Sequence, residues 1–338
     1  MAASAGGQPK RWSAPEVDPE QRQLARGDAP GSRDRDYWVY APRRSRASRL
    51  LGRPAVVLLL HGCDQSAEAL IRSTRFVEQA AARDYIVVFP HVTSWSRVPW
   101  RARNCWGFWI EAERHRDEGE LGDLRRILDQ VEREFGADPR RRYVAGLSSG
   151  GAMAVAMAVA YPDLVRAAGA VAGLAYGETS AAVSNPQPFR SVAPWFSAVA
   201  AGHQGPKMRS LPALVQDMEA EGNKSGDDRS VPLLVIQSTH DEVVQIENAQ
   251  LLRDVWLARN GGVGVGPVQC EQLADAAGER CSYFDPKGRM LVETVFYEGR
   301  SDAPTHYWPG DSDDPPYANT TGPSATDALL DFFEREGL

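Results

Sequence analysis

Apolar residues along this 338-residue chain fall into short unbroken runs, separated by stretches in which they recur every three or four positions. Positions 55–60 read Ala-Val-Val-Leu-Leu-Leu, with no polar interruption, as a strand buried on both faces requires. Positions 37–41 alternate like an early strand, and 86–89 make a short apolar strand stopped by Pro90. Between these, 67–83 reads as one helix. A second helix is expected over 120–135, where Leu124, Ile127, Leu128, Val131 and Phe135 share one face. Further strands are predicted at 142–145, 167–172, 233–238 and 292–297, with helices after the Gly-rich turn at 146–151 and over 246–259 and 325–335. Strand alternating with helix is the signature of a mostly parallel central sheet flanked by helices. From 176 to 230 the periodicity weakens and Pro, Gly and Ser become frequent, with one short helix near 211–221. Lying between the sixth and seventh strands, this reads as an insertion at the carboxyl edge of the sheet, where a segment covering a substrate belongs. Residues 1–34 show no apolar periodicity and read as disordered or extended along the surface, leaving 35–338 as a single domain.

Composition narrows the classes. Hydrophobic content of 43% and charged content of 25% allow a large core. The net charge of -7 argues against a nucleic-acid partner. Lys occurs only at positions 10, 207, 224 and 287, so basic charge is carried almost wholly by arginine. No stretch approaches the roughly 20 apolar residues of a membrane span, so no membrane partner is expected. The N-terminus lacks the apolar core of a signal peptide, which leaves a cytoplasmic protein or a mature secreted or periplasmic form, the latter preferred. Cys270 and Cys281 are close enough in sequence to close a loop, whereas Cys63 and Cys105 would have to pair across the fold; two disulfides and four free thiols both stay open. No C-x-x-C or His/Cys cluster has zinc spacing, and neither metal nor cofactor is expected.

The run Tyr143-Val144-Ala145-Gly146-Leu147-Ser148-Ser149-Gly150-Gly151 carries the strongest chemical signal. It reads as a strand ending in G-x-S-x-G and entering a helix of small residues. Such a turn exposes the Oγ of Ser148, and Gly146 and Gly150 are demanded because a Cβ would strike neighbouring backbone. A serine hydroxyl is a weak nucleophile at neutral pH and needs a histidine base fixed by a carboxylate. In the order Ser, acid, His, only His306 of the six histidines lies beyond the last buried parallel strand. The acid should follow a strand at the carboxyl end of the sheet, which selects Asp241 after 233–238 over Asp227 and Asp228. His240, adjacent to Asp241, takes a structural or substrate-facing role. Two backbone N–H groups must receive an oxyanion: that of Ser149, after the nucleophile, and that of Cys63, in the loop Leu60-His61-Gly62-Cys63-Asp64-Gln65, where His61 shapes the turn.

These residues resemble the poly(3-hydroxybutyrate) depolymerase-like esterases, a branch of the α/β-hydrolases that includes feruloyl and acetyl-xylan esterases. The resemblance rests on His61-Gly62-Cys63-Asp64-Gln65, Asn104-Cys105-Trp106, Gly146-Leu147-Ser148-Ser149-Gly150-Gly151-Ala152-Met153, Asp241-Glu242-Val243-Val244 with Asn248, and His306-Tyr307-Trp308. It implies an α/β-hydrolase fold, a Ser148, Asp241 and His306 triad, an oxyanion hole at Cys63 and Ser149, and a Cys63–Cys105 disulfide. The chain departs from the family pattern at Asp64, where Thr is usual, at Cys105-Trp106-Gly107-Phe108-Trp109, and after His306, where a small residue, Trp and a Ser-Gly-Gly run are usual.

The function implied is a serine hydrolase that cleaves short acyl esters or soluble hydroxybutyrate-type oligomers. Trp106, Trp109, Trp195 and Trp308 are candidates for an aromatic subsite. The alternatives are feruloyl or acetyl-xylan esters, or amide polymers of the β-peptide or polyaspartate type, for which Arg97, Arg101, Arg103 and Arg114 would line a basic groove. A non-catalytic binding protein on a hydrolase fold would lack a triad member, and none is missing.

Overall fold

The computed structural model describes residues 19–43, 52–92, 104–183, 206–227, 229–261, 266, 268–314 and 316–337. Ten strands form one sheet: β1 (Glu20–Leu24), β2 (Arg35–Tyr40), β3 (Ala55–Leu60), β4 (Tyr85–Pro90), β5 (Arg142–Leu147), β6 (Ala167–Val171), β7 (Leu233–Ser238), β8 (Val268–Gln272), β9 (Gly278–Phe284) and β10 (Met290–Tyr297). Their order is β1-β2-β4-β3-β5-β6-β7-β10-β9-β8. The six central strands run parallel, and an antiparallel pair closes each side. A separate two-stranded ladder joins β11 (Trp308–Pro309) to β12 (Ala318–Asn319). The helices are α1 (Ala67–Ser73), α2 (Phe76–Arg83), α3 (Glu111–Arg114), α4 (Gly119–Phe135), α5 (Ser149–Ala160), α6 (Leu211–Gly222), α7 (Ile246–Gly261) and α8 (Ala325–Gly337).

The unbroken apolar run of β3 divides its side chains by the two-residue period of a strand. Val56, Leu58 and Leu60 enter a core roofed by α4, α5, α6 and α7, while Ala55, Val57 and Leu59 enter a second core under α1, α2 and α8. Both faces of the sheet are therefore covered, and all six residues of β3 are buried. α5, with its Gly, Ala, Met and Val residues, has no solvent face, because only small side chains let a helix lie so close beneath the sheet centre.

The predicted helix over 67–83 is two helices. The hydroxyls of Ser73 and Thr74 bond back to the carbonyls of Ala69 (2.7 Å) and Leu70 (3.0 Å), and Thr74 turns extended at φ -120°, ψ 156°. Residues 20–24, without apolar periodicity, form the antiparallel edge strand β1, so the N-terminal segment is part of the sheet from Glu20 onward. The hairpin β8–β9 also lies outside the sequence prediction. Of the 176–230 insertion, α6 lies within the described residues as expected; 184–205 lie outside them. Glu221 of α6 anchors it to the core domain, accepting from the amide of Arg116 at 2.6 Å and from Lys224 Nζ at 2.7 Å, with His115 Nδ1 2.6 Å away.

Candidate active site

The elbow after β5 has the geometry its glycines require. A Cβ on Gly146 would lie 2.5 Å from the Gly150 carbonyl carbon, and one on Gly150 would lie 2.3 Å from the Leu60 oxygen. Ser148 sits at φ 58°, ψ -120°, a sparsely populated conformation for a residue with a side chain, which costs on the order of 1–3 kcal/mol. Its N–H donates to Val171 O at 2.9 Å and its carbonyl accepts from Ala152 at 2.9 Å, so the strand beside it and the helix below hold the strain. Ser148 is the one residue from Tyr143 to Pro162 that is not buried.

Asp241 follows β7, two strands away from β5 in the sheet. It is buried, and its Oδ1 accepts from the amides of Val243 and Val244, both at 2.9 Å. Its Oδ2 accepts from Gln237 Nε2 at 3.1 Å and faces His306 Nδ1 at 2.7 Å. These donors hold the carboxylate in place, and it in turn orients the His306 ring with Nδ1 toward Asp241. Nε2 of His306 is buried and finds no hydrogen-bond partner among the described residues, so it is the nitrogen left to take a proton. The Glu242 amide donates to Thr305 Oγ1 at 3.3 Å and ties the loop of the acid to that of the histidine.

The loop after β3 passes over Ser148: a Cβ on Gly62 would lie 3.4 Å from Ser148 Cβ. Gln65 Oε1 accepts from the Gly62 amide at 2.8 Å, and Cys63 is bonded to Cys105. Among the described residues neither the Cys63 nor the Ser149 amide pairs with a protein acceptor. His61 is completely buried, with Nε2 accepting from Val92 N at 3.1 Å and Nδ1 donating to Gly62 O at 2.8 Å. Burial, aided by repulsion from neighbouring His91, pushes its pKa down to about 3, so the ring is neutral and shapes the turn. The second disulfide, Cys270–Cys281, crosses the β8–β9 hairpin. With Glu279 these sulfurs form a group of three possible metal-ligand atoms, but the disulfide occupies both thiols.

Other candidate residues fall elsewhere. Trp106 and Trp308 are 0% exposed and offer no face to a substrate. Trp106 packs against His61 and beneath Arg35; Trp308 meets Phe76 edge-on and donates from Nε1 to Asp311 at 2.7 Å. Trp109 is half-buried against Phe108, and Trp195 lies outside the described residues. Arg114 is buried over the Tyr176 ring and ion-paired to Glu111, which removes it from a basic groove; Arg97, Arg101 and Arg103 lie outside the described residues. His240 bonds through Nδ1 to Gly299 O at 3.0 Å, a structural role. Asp227 closes a local turn with Arg229, and Asp228 is outside the described residues. Sequence reasoning missed Gln237 and Thr305; a Gln four residues before the acid, directly after the apolar run Leu233-Leu234-Val235-Ile236, was the available signal.

A serine at a strained turn after a parallel strand, beneath a sheet covered on both faces, defines an α/β-hydrolase. More narrowly, the chain belongs to the Esterase PHB depolymerase family, whose profile matches residues 36–266, and that family consists of carboxylic ester hydrolases. It is similar to feruloyl esterase B of Neurospora crassa (32% identity over 150 residues, 44% of this chain and 47% of that one). It is similar also to acetylxylan esterase A of Emericella nidulans (27% over 215 residues, 57% and 65%) and to a poly(3-hydroxybutyrate) depolymerase of Ralstonia pickettii (31% over 193 residues, 54% and 36%). The chain thus spans less than two thirds of the length of each of these relatives. Among solved structures, an acetyl xylan esterase from Aspergillus awamori superposes with a TM-score of 0.66 at 18% identity, covering 93% of this chain and 99% of that one, a likeness of fold.

Proposed function

We propose that the protein is a serine esterase acting through an acyl-enzyme. The observation that carries this reading is the His306–Asp241 pair at 2.7 Å, with Asp241 held by several donors and His306 Nε2 unengaged among the described residues. His306 Nε2 removes the proton of Ser148 as Oγ attacks the ester carbonyl, and Asp241 stabilises the imidazolium that forms. The Cys63 and Ser149 amides receive the oxyanion, being fixed in place beforehand and not paired with any acceptor among the described residues. The imidazolium then protonates the leaving alkoxide; water, deprotonated by the same nitrogen, hydrolyses the acyl-enzyme and restores Ser148.

The substrates proposed are short acyl esters and soluble hydroxybutyrate-type oligomers. Feruloyl and acetylated-xylan esters form a second reading, supported by the relatives whose names carry those activities. Ester cleavage is preferred to amide cleavage because the family is one of ester hydrolases. The two disulfides fit an oxidising, extracellular or periplasmic setting. The test is Ser148→Ala assayed with p-nitrophenyl acetate and butyrate. The expected result is loss of turnover with the fold intact by circular dichroism; retained activity refutes the nucleophile. A panel of butyrate, ferulate, acetyl-xylan and hydroxybutyrate-oligomer substrates then ranks the acyl groups.

A further inference from the structure

The loop that carries His306 does more than hold the histidine. Beyond Trp308 it folds back on itself: β11 pairs with β12, the Trp308 amide donates to Tyr317 O at 2.8 Å, and the Gly310 amide donates to Asn319 O at 2.8 Å. Tyr317 is thereby fixed one rung from the residue two places after His306. Its hydroxyl donates to Asp64 O at 2.6 Å. Asp64 directly follows Cys63 and lies at φ 59°, in the left-handed region that a non-glycine residue holds only when its surroundings impose it. The loop over the nucleophile is thus pinned at Cys63 by the disulfide, at Gly62 by Gln65 and at Asp64 by Tyr317.

Tyr317 can act as a pin because its own loop is anchored. Asp311 is half-buried and accepts from Trp308 Nε1 at 2.7 Å, Ser324 Oγ at 2.6 Å, Thr326 Oγ1 and, more weakly, the Arg75 amide at 3.4 Å. Asp314 accepts from Ser73 Oγ at 2.9 Å and Ser312 Oγ donates to Ser73 O at 2.7 Å. The break between α1 and α2 frees the Arg75 amide for this contact, and the interrupted helix, the start of α8 and the His306 loop become one rigid unit. That unit reaches across to the segment bearing the Cys63 amide.

We propose that Tyr317 is a positioning residue for the oxyanion hole, so that a single loop, fastened at Asp311, sets both the base and the oxyanion-binding amide. This rests on the reading of the site as a serine esterase. The test is Tyr317→Phe, which removes one oxygen and leaves the ring. Loss of one neutral hydrogen bond predicts a fall in kcat of roughly tenfold on p-nitrophenyl butyrate, with KM within about twofold. The acidic limb of the kcat/KM profile should not move, because His306 and Asp241 do not touch Tyr317. The rate ratio between the ester and its thiono analogue should shrink, because a sulfur anion uses the amides less and so loses less when the hole is loosened. A variant with wild-type kcat, an equal loss on both esters, or a shifted acidic limb overturns the proposal. Asp311→Asn, which weakens the anchor without emptying it, should reproduce the same compressed ratio, and failure to do so also counts against it. If Ser148→Ala keeps its activity, the esterase reading itself is lost; if Ser148→Ala is inactive and Tyr317→Phe is unaltered, only the positioning role falls.

Discussion

His61 makes the oxyanion loop sensitive to acid. Its folded pKa of about 3 lies below the ordinary value of 6.5 that applies in the unfolded chain. The unfolded chain therefore takes up a proton below about pH 6.5, while the folded protein refuses it until about pH 3. The group contributes its full stability above pH 6.5 and loses it progressively as the pH falls from 6.5 to 3. Linkage over that interval puts the loss between pH 7 and pH 5 at about 2 kcal/mol for this residue alone. The measurement is urea denaturation at pH 7, 6 and 5 for the wild type and for His61→Gln, which keeps an acceptor for the Val92 amide but does not titrate. The variant starts less stable. What matters is the slope: between pH 7 and pH 5 the wild type should lose about 2 kcal/mol more than the variant. Carboxylates and the remaining histidines are common to both proteins and cancel in the difference. The nearest of them, His91, has its ring centre 5.3 Å from that of His61 and a pKa also lowered, chiefly by burial. Parallel slopes, within about 0.5 kcal/mol, would refute the assignment of His61 as a buried neutral ring.

Two other outcomes follow from the same geometry. Asp241→Asn should leave the fold intact but lower kcat by on the order of 10³–10⁴, because the amide no longer holds the Nδ1 proton and the tautomer of His306 is lost; a Michaelis–Menten comparison with the wild type measures this. Removing the Cys63–Cys105 bond by Cys63→Ala with Cys105→Ala, which releases a loop whose ends are 42 residues apart, should cost about 4 kcal/mol in the denaturation midpoint analysis. Activity should fall further than the unfolded fraction accounts for.

The strands buried on both faces were legible because each carries an apolar run of four or more residues. β3 and β7 emerge with their observed limits, and the elbow follows from the collision a Cβ at Gly146 or Gly150 would suffer. The edges were not legible: β1 (Glu-Gln-Arg-Gln-Leu) and β8 (Val-Gln-Cys-Glu-Gln) are held by backbone pairing with a neighbour, which leaves no trace in hydropathy. The break at Thr74 depends on hydroxyls bonding back along the helix and on Asp311 arriving from 236 positions away. Burial of Trp106 and Trp308 was hidden for a similar reason, since an aromatic ring suits a core and a substrate subsite equally. Chain order and strand ends pointed to Asp241 and His306, which lie 2.7 Å apart. The amide donors and the Gln237 contact that hold Asp241 could not be read, because they belong to a turn whose shape appears only in three dimensions.

The position of β10 bears on how the chain is made. Although α7, β8 and β9 separate the two in the chain, it pairs in parallel with β7, whose six residues are all buried. Until residues 290–297 leave the ribosome, a nascent chain carries β7 as an open, apolar edge, the kind of surface on which growing polypeptides aggregate. The family match ends at 266, before β10 and before His306. A protein trimmed to that boundary would combine a sticky sheet edge with a Ser148 that has no His306, the base proposed for it. Closure of the sheet edge and arrival of His306 therefore come together, once the segment from 290 to 306 has been translated.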